Sequence, residues 1–355
     1  MVSILDKINA IEKIDKGNMR QLLTDFPMQA EEAINIGKKA SLSDLKTEKI
    51  ENIIILGMGG SAIGGDLIKC VLLERIKVPI IVNRNYTLPA FVSEKSLIFA
   101  CSYSGNTEET LSALNLAKKR KAKIIALSSN GELEKIAERE KFDFIKIPSG
   151  FPPRCALGYS FFPVLLILSR LKLVEISTDE LEETIDILKQ IEKEINPKIN
   201  MSGNTAKKIA LKLFKKMVVI YGWADFYEVA AYRFRCQLAE NSKNFASHHL
   251  MPEMNHNEIM AWHYPESLLR KIEVVFLMDK AQHEKITKRI DILAPVIEKK
   301  AGGITNIFTK GESLLAKIFS LIYTCDFISF YLAILNKVNP TPVDTISYLK
   351  ERLMK

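Results

Sequence analysis

Short apolar, β-branched runs alternate with stretches of helical period along most of the chain. In the first half the runs are Asn52–Leu56, Pro79–Val82, Ser96–Cys101, Lys123–Leu127 and Phe142–Ile147. Helical patterns fall between them near Ala62–Glu74, Thr107–Lys119 and Glu132–Glu140. Strands this apolar, separated by helices of this length, predict a parallel sheet covered on both faces. The apolar segment "CALGYSFFPVLLILSRLKL" closes the series, and Pro163 inside it predicts a kink or a late helix start. The second half repeats the plan, with strands at Lys216–Tyr221, Ile272–Met278 and Ile304–Phe308. Its helices are expected at Phe226–Asn241, Gln282–Lys299 and Leu314–Leu335. Residues 1–48 read as two amphipathic helices, and the tail "NPTPVDTISYLKERLMK" as a short charged helix. A polar, acidic helix over Thr178–Ile195 ends at Asn196-Pro197 and lies near the boundary between the halves. The predicted fold class is therefore α/β, with two domains each built on a parallel sheet flanked by helices. They span 49–175 and 176–355, after an N-terminal helical segment over 1–48.

Composition narrows the function classes. The chain has 355 residues, more than one domain core usually holds, with 47% hydrophobic and 26% charged residues. The formal net charge is +8, but Lys alternates with Glu in stretches such as "LEETIDILKQIEKEINPK". That pattern marks solvated helix faces, and no basic block with interleaved aromatics points to nucleic acid. No apolar run reads as long enough to span a bilayer, and the start "MVSILDKINAIEKIDK" is too charged for a signal peptide. A cytoplasmic protein with no membrane partner is expected. Cys70, Cys101, Cys155, Cys236 and Cys325 are scattered, as reduced and mostly buried thiols would be.

The first strand runs into "GMGGSAIGGD", where Gly57-x-Gly59-x-x-Ala62 matches a dinucleotide-binding fingerprint. Such a site also needs a carboxylate at the end of the second strand. Here that strand ends "PIIVNRNYT", with Asn83 and Arg84 in that place. Arg84 would suit a 2′-phosphate, which leaves an NADP oxidoreductase as one reading. The third strand ends "FACSYSGNTEET". Ser102, Ser104 and Thr107 supply hydroxyls, Gly105 permits close approach, and a helix N-terminus follows. A helix cap needs one hydroxyl; three at this turn favour a cradle for a single phosphoryl group.

"SYSGNTEET" and "GMGGSAIGGD" together resemble the sugar isomerase (SIS) fold, whose domains bind phosphosugars. "GFPPR", "CQLAENSKNFA" and "MNHNEIMAW" extend the resemblance to the bifunctional phosphoglucose/phosphomannose isomerases over nearly the whole chain. The resemblance implies two SIS domains and interconversion of glucose 6-phosphate, and of mannose 6-phosphate, with fructose 6-phosphate through a cis-enediolate. It implies that Ser102, Ser104 and Thr107 hold the phosphate, with Gly60 and Ser61 against the sugar. It assigns the chemistry to Arg154, Glu240, His256 and Lys350. It further implies a homodimer in which His256 reaches a neighbouring active site. The isomerisation requires no metal and no redox cofactor.

The residue types suit these roles. Glu240 lies at the end of a helical pattern of largely apolar or small residues, where partial desolvation would raise its pKa toward that of a proton-shuttling base. Taken alone it also reads as a surface carboxylate paired with Lys243 or Arg235; the polar Asn241 and Ser242 beside it and the nearby His-bearing loop favour the site instead. His256 sits in a polar loop closed by an aromatic, and imidazole suits proton transfer to a ring oxygen. Arg154 follows the fifth strand, stiffened by Pro152-Pro153, where a guanidinium would stabilise an enediolate. Spacing alone does not choose among Lys350, Arg352 and Lys355; the tail's likeness to the family pattern points to Lys350. Other readings are a zinc-dependent isomerase using His248, His249, His256 and His263, an aminosugar-phosphate isomerase or deaminase, and a non-catalytic phosphosugar-binding SIS protein. H-E-x-x-H is absent, and the first 48 residues carry no trusted helix-turn-helix signal.

Overall fold

The computed structural model describes residues 3–43 and 49–353. They form two compact units. Phe26–Leu181 make the first; the residues up to Asp25 and those from Glu182 onward make the second. The helix Thr178–Ile195 carries the chain from one into the other.

The first unit holds a five-stranded parallel sheet: β1 (Asn52–Leu56), β2 (Ile80–Asn83), β3 (Ser96–Cys101), β4 (Lys123–Ser128) and β5 (Asp143–Lys146). The order is β2-β1-β3-β4-β5, with β1 aligned as Ile54↔Ile81 and Ile54↔Ile98. All of β1 and β3 is buried, as their unbroken apolar runs require. The chain leaves β1 for β2 on one side and returns to β3 on the other. That reversal opens a crevice at the carboxyl ends of β1 and β3, the place where open α/β sheets bind ligands.

Helix Leu157–Arg170 runs through Pro163 without the expected late start. It is buried against the helices Phe26–Lys39 and Gly59–Leu72. Packing on two sides outweighs the roughly 3 kcal/mol that an internal proline costs. Gly37 lies against the proline itself; a Cβ there would stand 2.9 Å from Pro163 Cα.

The second unit contains β6 (Met217–Trp223), β7 (Ala246–Met251), β8 (Ile272–Met278) and β9 (Gly303–Phe308), parallel in the order β7-β6-β8-β9. Strand β7 is absent from the sequence expectation. "ASHHLM" is a half-buried edge strand, so it shows no apolar run. Helix Thr205–Leu213 was also not foreseen; Asn204 caps it by accepting from the Lys207 amide at 2.9 Å.

Helix Leu314–Leu335 corrects the membrane reading. It is long and apolar enough to cross a bilayer, with mean hydropathy 1.9, yet 89% of that window is buried inside the protein. An all-round apolar helix of this kind serves here as the core of its unit.

The N-terminal segment forms helices Ile8–Ile14, Met19–Thr24 and Phe26–Lys39 rather than two. Asn18 adopts a left-handed conformation, and the Asp15 carboxylate accepts from the Met19 and Arg20 amides at 2.8 Å, breaking and restarting the helix. Residues 44–48 of that expected segment lie outside the described residues. The tail forms helix Asp344–Leu353, exposed along its length. Four cysteines are buried and Cys236 is half-buried; burial pushes the Cys101 thiol up to about 12.

Candidate active site

The turns after β1 and β3 meet at the sheet reversal of the first unit. After β1 a helix begins at Gly59. Gly60 has no side chain because none fits: a Cβ would stand 2.7 Å from the Pro153 carbonyl oxygen. The glycine therefore lets the segment bearing Arg154 lie against the glycine-rich loop. Ser61 is buried, and its Oγ accepts from the Tyr103 amide at 3.3 Å, linking the first turn to the second.

After β3, the hydroxyls of Ser102 and Thr107 lie 2.8 Å apart. Thr107 is the N-cap residue of helix Glu108–Lys119, but its side chain makes no capping hydrogen bond. The rival reading as a simple cap is therefore wrong for Thr107. The first-turn amides keep their capacity to bind an anion, and two hydroxyls stand beside them. Ser104 is exposed and accepts from the Asn106 amide at 3.3 Å. Gly105 has φ +69 and packs so closely that a Cβ would lie 1.7 Å from the Asn130 carbonyl oxygen. The turn after β4 buttresses this one: Ser129 Oγ donates to the Tyr103 carbonyl at 2.6 Å. The sequence reading passed over Ser128 and Ser129, although "LSSNGE" at a strand end is a signal of the same kind as "SYSGNT".

Arg154 is buried, on the short 3-10 turn Pro153–Cys155. Gln29 clamps the following residues, donating to the Cys155 carbonyl at 2.8 Å and accepting from the Gly158 amide at 3.1 Å. One structural unit thus gathers Gly60, Ser61, Ser102, Ser104, Thr107 and Arg154. The dinucleotide reading loses its second anchor. Arg84 is ion-paired with Asp66, and the Asn83 amide donates to the carbonyls of Asn85 and Thr87 at 3.0 Å each.

Glu240, His256 and Lys350 belong to the second unit. Glu240 ends helix Glu228–Glu240 and is half-buried. The Lys243 ammonium donates to the backbone carbonyls of Glu240 at 2.6 Å and Pro342 at 2.8 Å. Asn241 and Ser242, read from sequence as polar companions of the site, are buried instead. Asn241 Nδ2 donates to Ser329 Oγ at 2.9 Å, and Ser242 Oγ donates to the Leu238 carbonyl at 2.6 Å. Both residues hold the helix end that carries Glu240.

His256 is exposed at the end of the turn Glu253–His256. Two residues on, Glu258 anchors the loop from inside. Tyr221 donates to its carboxylate oxygens at 2.7 and 2.8 Å, and Trp262 Nε1 donates to the Tyr221 hydroxyl at 2.9 Å. Burial lifts the Glu258 carboxyl above its ordinary range, although Tyr221 and His249 both pull it down. Lys350 is exposed on helix Asp344–Leu353; Arg352 stacks on the Tyr348 ring at 5.3 Å, and Lys355 lies outside the described residues. Among the described residues, no three His, Cys, Asp or Glu side chains gather in a metal-binding group.

Residues 46–148 match the SIS domain, and residues 202–353 match the bacterial phospho-glucose isomerase C-terminal SIS domain. A bifunctional phosphoglucose/phosphomannose isomerase of Caldicellulosiruptor bescii is 44% identical over 335 residues, covering 94% of this chain and 98% of its own. The chain belongs to that family. It is accordingly an enzyme of the isomerase class. The Aquifex aeolicus member is 36% identical over 86% of this chain and 91% of its own. At the level of fold, a glucose-6-phosphate isomerase like protein from Thermus thermophilus superposes with a TM-score of 0.63 at 14% identity, covering 95% of this chain and 96% of that one.

Proposed function

We infer that the protein interconverts glucose 6-phosphate and mannose 6-phosphate with fructose 6-phosphate. One observation carries the reading: the uncapped helix start at Thr107, with the Ser102 and Thr107 hydroxyls 2.8 Å apart, in a chain of this family. Ser102, Ser104, Thr107 and the helix amides hold the phosphate, and Gly60 and Ser61 lie against the sugar.

Glu240 is the base. It takes the proton from C2 of the open-chain aldose and returns it to C1, through a cis-enediolate whose negative charge Arg154 stabilises. His256 and Lys350 exchange protons with the ring oxygen and the anomeric hydroxyl to open the pyranose. Its place at the end of helix Glu228–Glu240, a helix end anchored by Asn241 and Ser242, supports Glu240 in this role. The exposure of His256 on an internally anchored loop supports its reaching a second subunit, so the working enzyme is a homodimer. The reaction needs no cofactor and takes place in the cytoplasm.

The test is exchange of deuterium from D₂O into C1 and C2 of the sugar phosphates. Exchange is expected in the unaltered enzyme and lost in Glu240→Gln. Exchange that survives the substitution removes Glu240 as the base.

A further inference from the structure

Arg154 is delivered by a segment that has little backbone with which to hold itself. "IPSGFPPR" contains three prolines, which have no amide to donate, and Gly150 sits at φ +95. The segment's shape therefore depends on groups outside it. Tyr103 supplies the central one. Its hydroxyl donates to the Pro148 carbonyl at 3.1 Å and accepts from the Phe151 amide at 2.9 Å, so one oxygen closes the loop from both sides. The Phe151 ring then packs edge-on against Tyr159 at 5.5 Å, and the Tyr159 hydroxyl donates to Glu32 at 2.5 Å.

The backbone of Tyr103 is equally fixed. It lies between Ser102 and Ser104 in the cradle itself. Its amide donates to Ser61 Oγ at 3.3 Å; its carbonyl accepts from the Ser129 amide at 3.1 Å and from Ser129 Oγ at 2.6 Å. One residue thus joins the glycine-rich loop, the phosphate turn, the β4 turn and the arginine segment.

We propose that Tyr103 is a positioning residue whose hydroxyl sets Arg154 at a fixed distance from the phosphate cradle. The proposal rests on the reading of that cradle and of Arg154 given above. The hydroxyl touches no substrate. It acts by holding the guanidinium where the enediolate charge forms, while the phosphate is held by groups that do not depend on it. Loss of the hydroxyl should slow turnover and leave phosphate affinity alone.

The experiment compares Tyr103→Phe, Arg154→Lys and the double variant with the unaltered enzyme. It measures kcat and KM on fructose 6-phosphate and competitive inhibition by inorganic phosphate. Tyr103→Phe keeps the ring and removes one oxygen, and melting curves confirm that each variant is folded at the assay temperature. The expected result is a tenfold or greater fall in kcat for Tyr103→Phe, with inhibition by inorganic phosphate changed less than twofold. The double variant should be no slower than Arg154→Lys alone, because residues acting through one another do not add. Losses that multiply, a Tyr103→Phe kcat within twofold of the unaltered enzyme, or phosphate inhibition that weakens in step with kcat would each overturn the proposal. If inorganic phosphate does not compete in the unaltered enzyme, the cradle reading itself falls, an outcome separate from any effect of Tyr103.

Discussion

The two sheets share one strand order and treat the same position in opposite ways. Strand β3 of the first and β8 of the second both follow the reversal beside the leading strand. After β3 come hydroxyls and a helix whose N-cap side chain leaves the amides alone. After β8 comes Asp279, buried, with an anion of its own. Its carboxylate accepts from the Tyr227 hydroxyl at 2.5 Å and from the Thr309 hydroxyl and the Ala281 amide at 3.1 Å each. Lys317 lies 3.3 Å away. The next helix, Glu284–Glu298, is capped by His283, whose Nδ1 accepts from the Lys285 amide at 3.1 Å. Both strand ends collect donors around one point. The second fills it with a carboxylate; on the function proposed above, the first leaves it for the substrate phosphate. On that reading topology selects where an anion sits, and the side chains decide whether the protein supplies it.

The sharpest challenge to this division lies in the chemistry assigned to the second unit. Glu240→Gln should lower kcat by about 10²–10⁴, the usual worth of a general base, while inorganic phosphate still competes with substrate. Loss of phosphate competition in that variant would mean that Glu240 helps to hold the phosphate.

Next in size is the filled strand end. Asp279→Ala leaves Lys317 and three neutral donors facing an empty space. It should lower the unfolding free energy by about 3 kcal/mol, as removing one partner of a buried pair does. Formate, about the size of the deleted carboxylate, should recover part of the melting temperature in the variant and none in the unaltered protein. Equal shifts in both would show that the donors do not converge on an anion site.

The open strand end should respond in binding rather than stability. Thr107→Val removes one hydroxyl from the cradle and should raise KM about ten- to a hundredfold, given about 1.5–3 kcal/mol for a hydrogen bond to a charged group. Its melting temperature should hardly move. A large stability loss with unchanged KM would return Thr107 to a purely structural role.

The smallest effect is a pH dependence. Burial alone would raise the Asp279 carboxyl, but Tyr227, the Ala281 amide and Lys317 outweigh it and hold the carboxyl below its ordinary range. Between that depressed value and about 3.9, the unfolded chain binds the proton more readily than the folded one. Asp279 therefore adds stability at neutral pH that is lost as pH falls through the folded value. Acid unfolding followed by circular dichroism should show a shallower pH slope in Asp279→Asn than in the unaltered protein.

The sheet of the first unit was readable because burial on both faces forces long apolar runs, and β1 and β3 are such runs. β7 was not, because an edge strand half open to water keeps polar residues such as His248 and His249. The turn bearing Ser102, Ser104 and Thr107 was legible because a hydroxyl-rich strand-to-helix turn is a local pattern. Asn241 and Ser242 were misjudged for the opposite reason. Their type fits a polar site, but their partners come from distant positions in the chain, and sequence does not show which way a side chain faces.

Local sequence was enough for the alternation of strands and helices, the glycine-rich and serine-rich turns and the family that carries them. Periodicity and turn chemistry act over a few residues and are written there directly. The packed molecule was needed to show that Thr107 does not cap its helix, that Arg84 pairs with Asp66, and that Leu314–Leu335 is a core. It alone set the Tyr103 hydroxyl against the arginine segment and Asp279 among its donors. Each of these depends on which distant group occupies a given space, and close packing settles that only when the whole chain has folded.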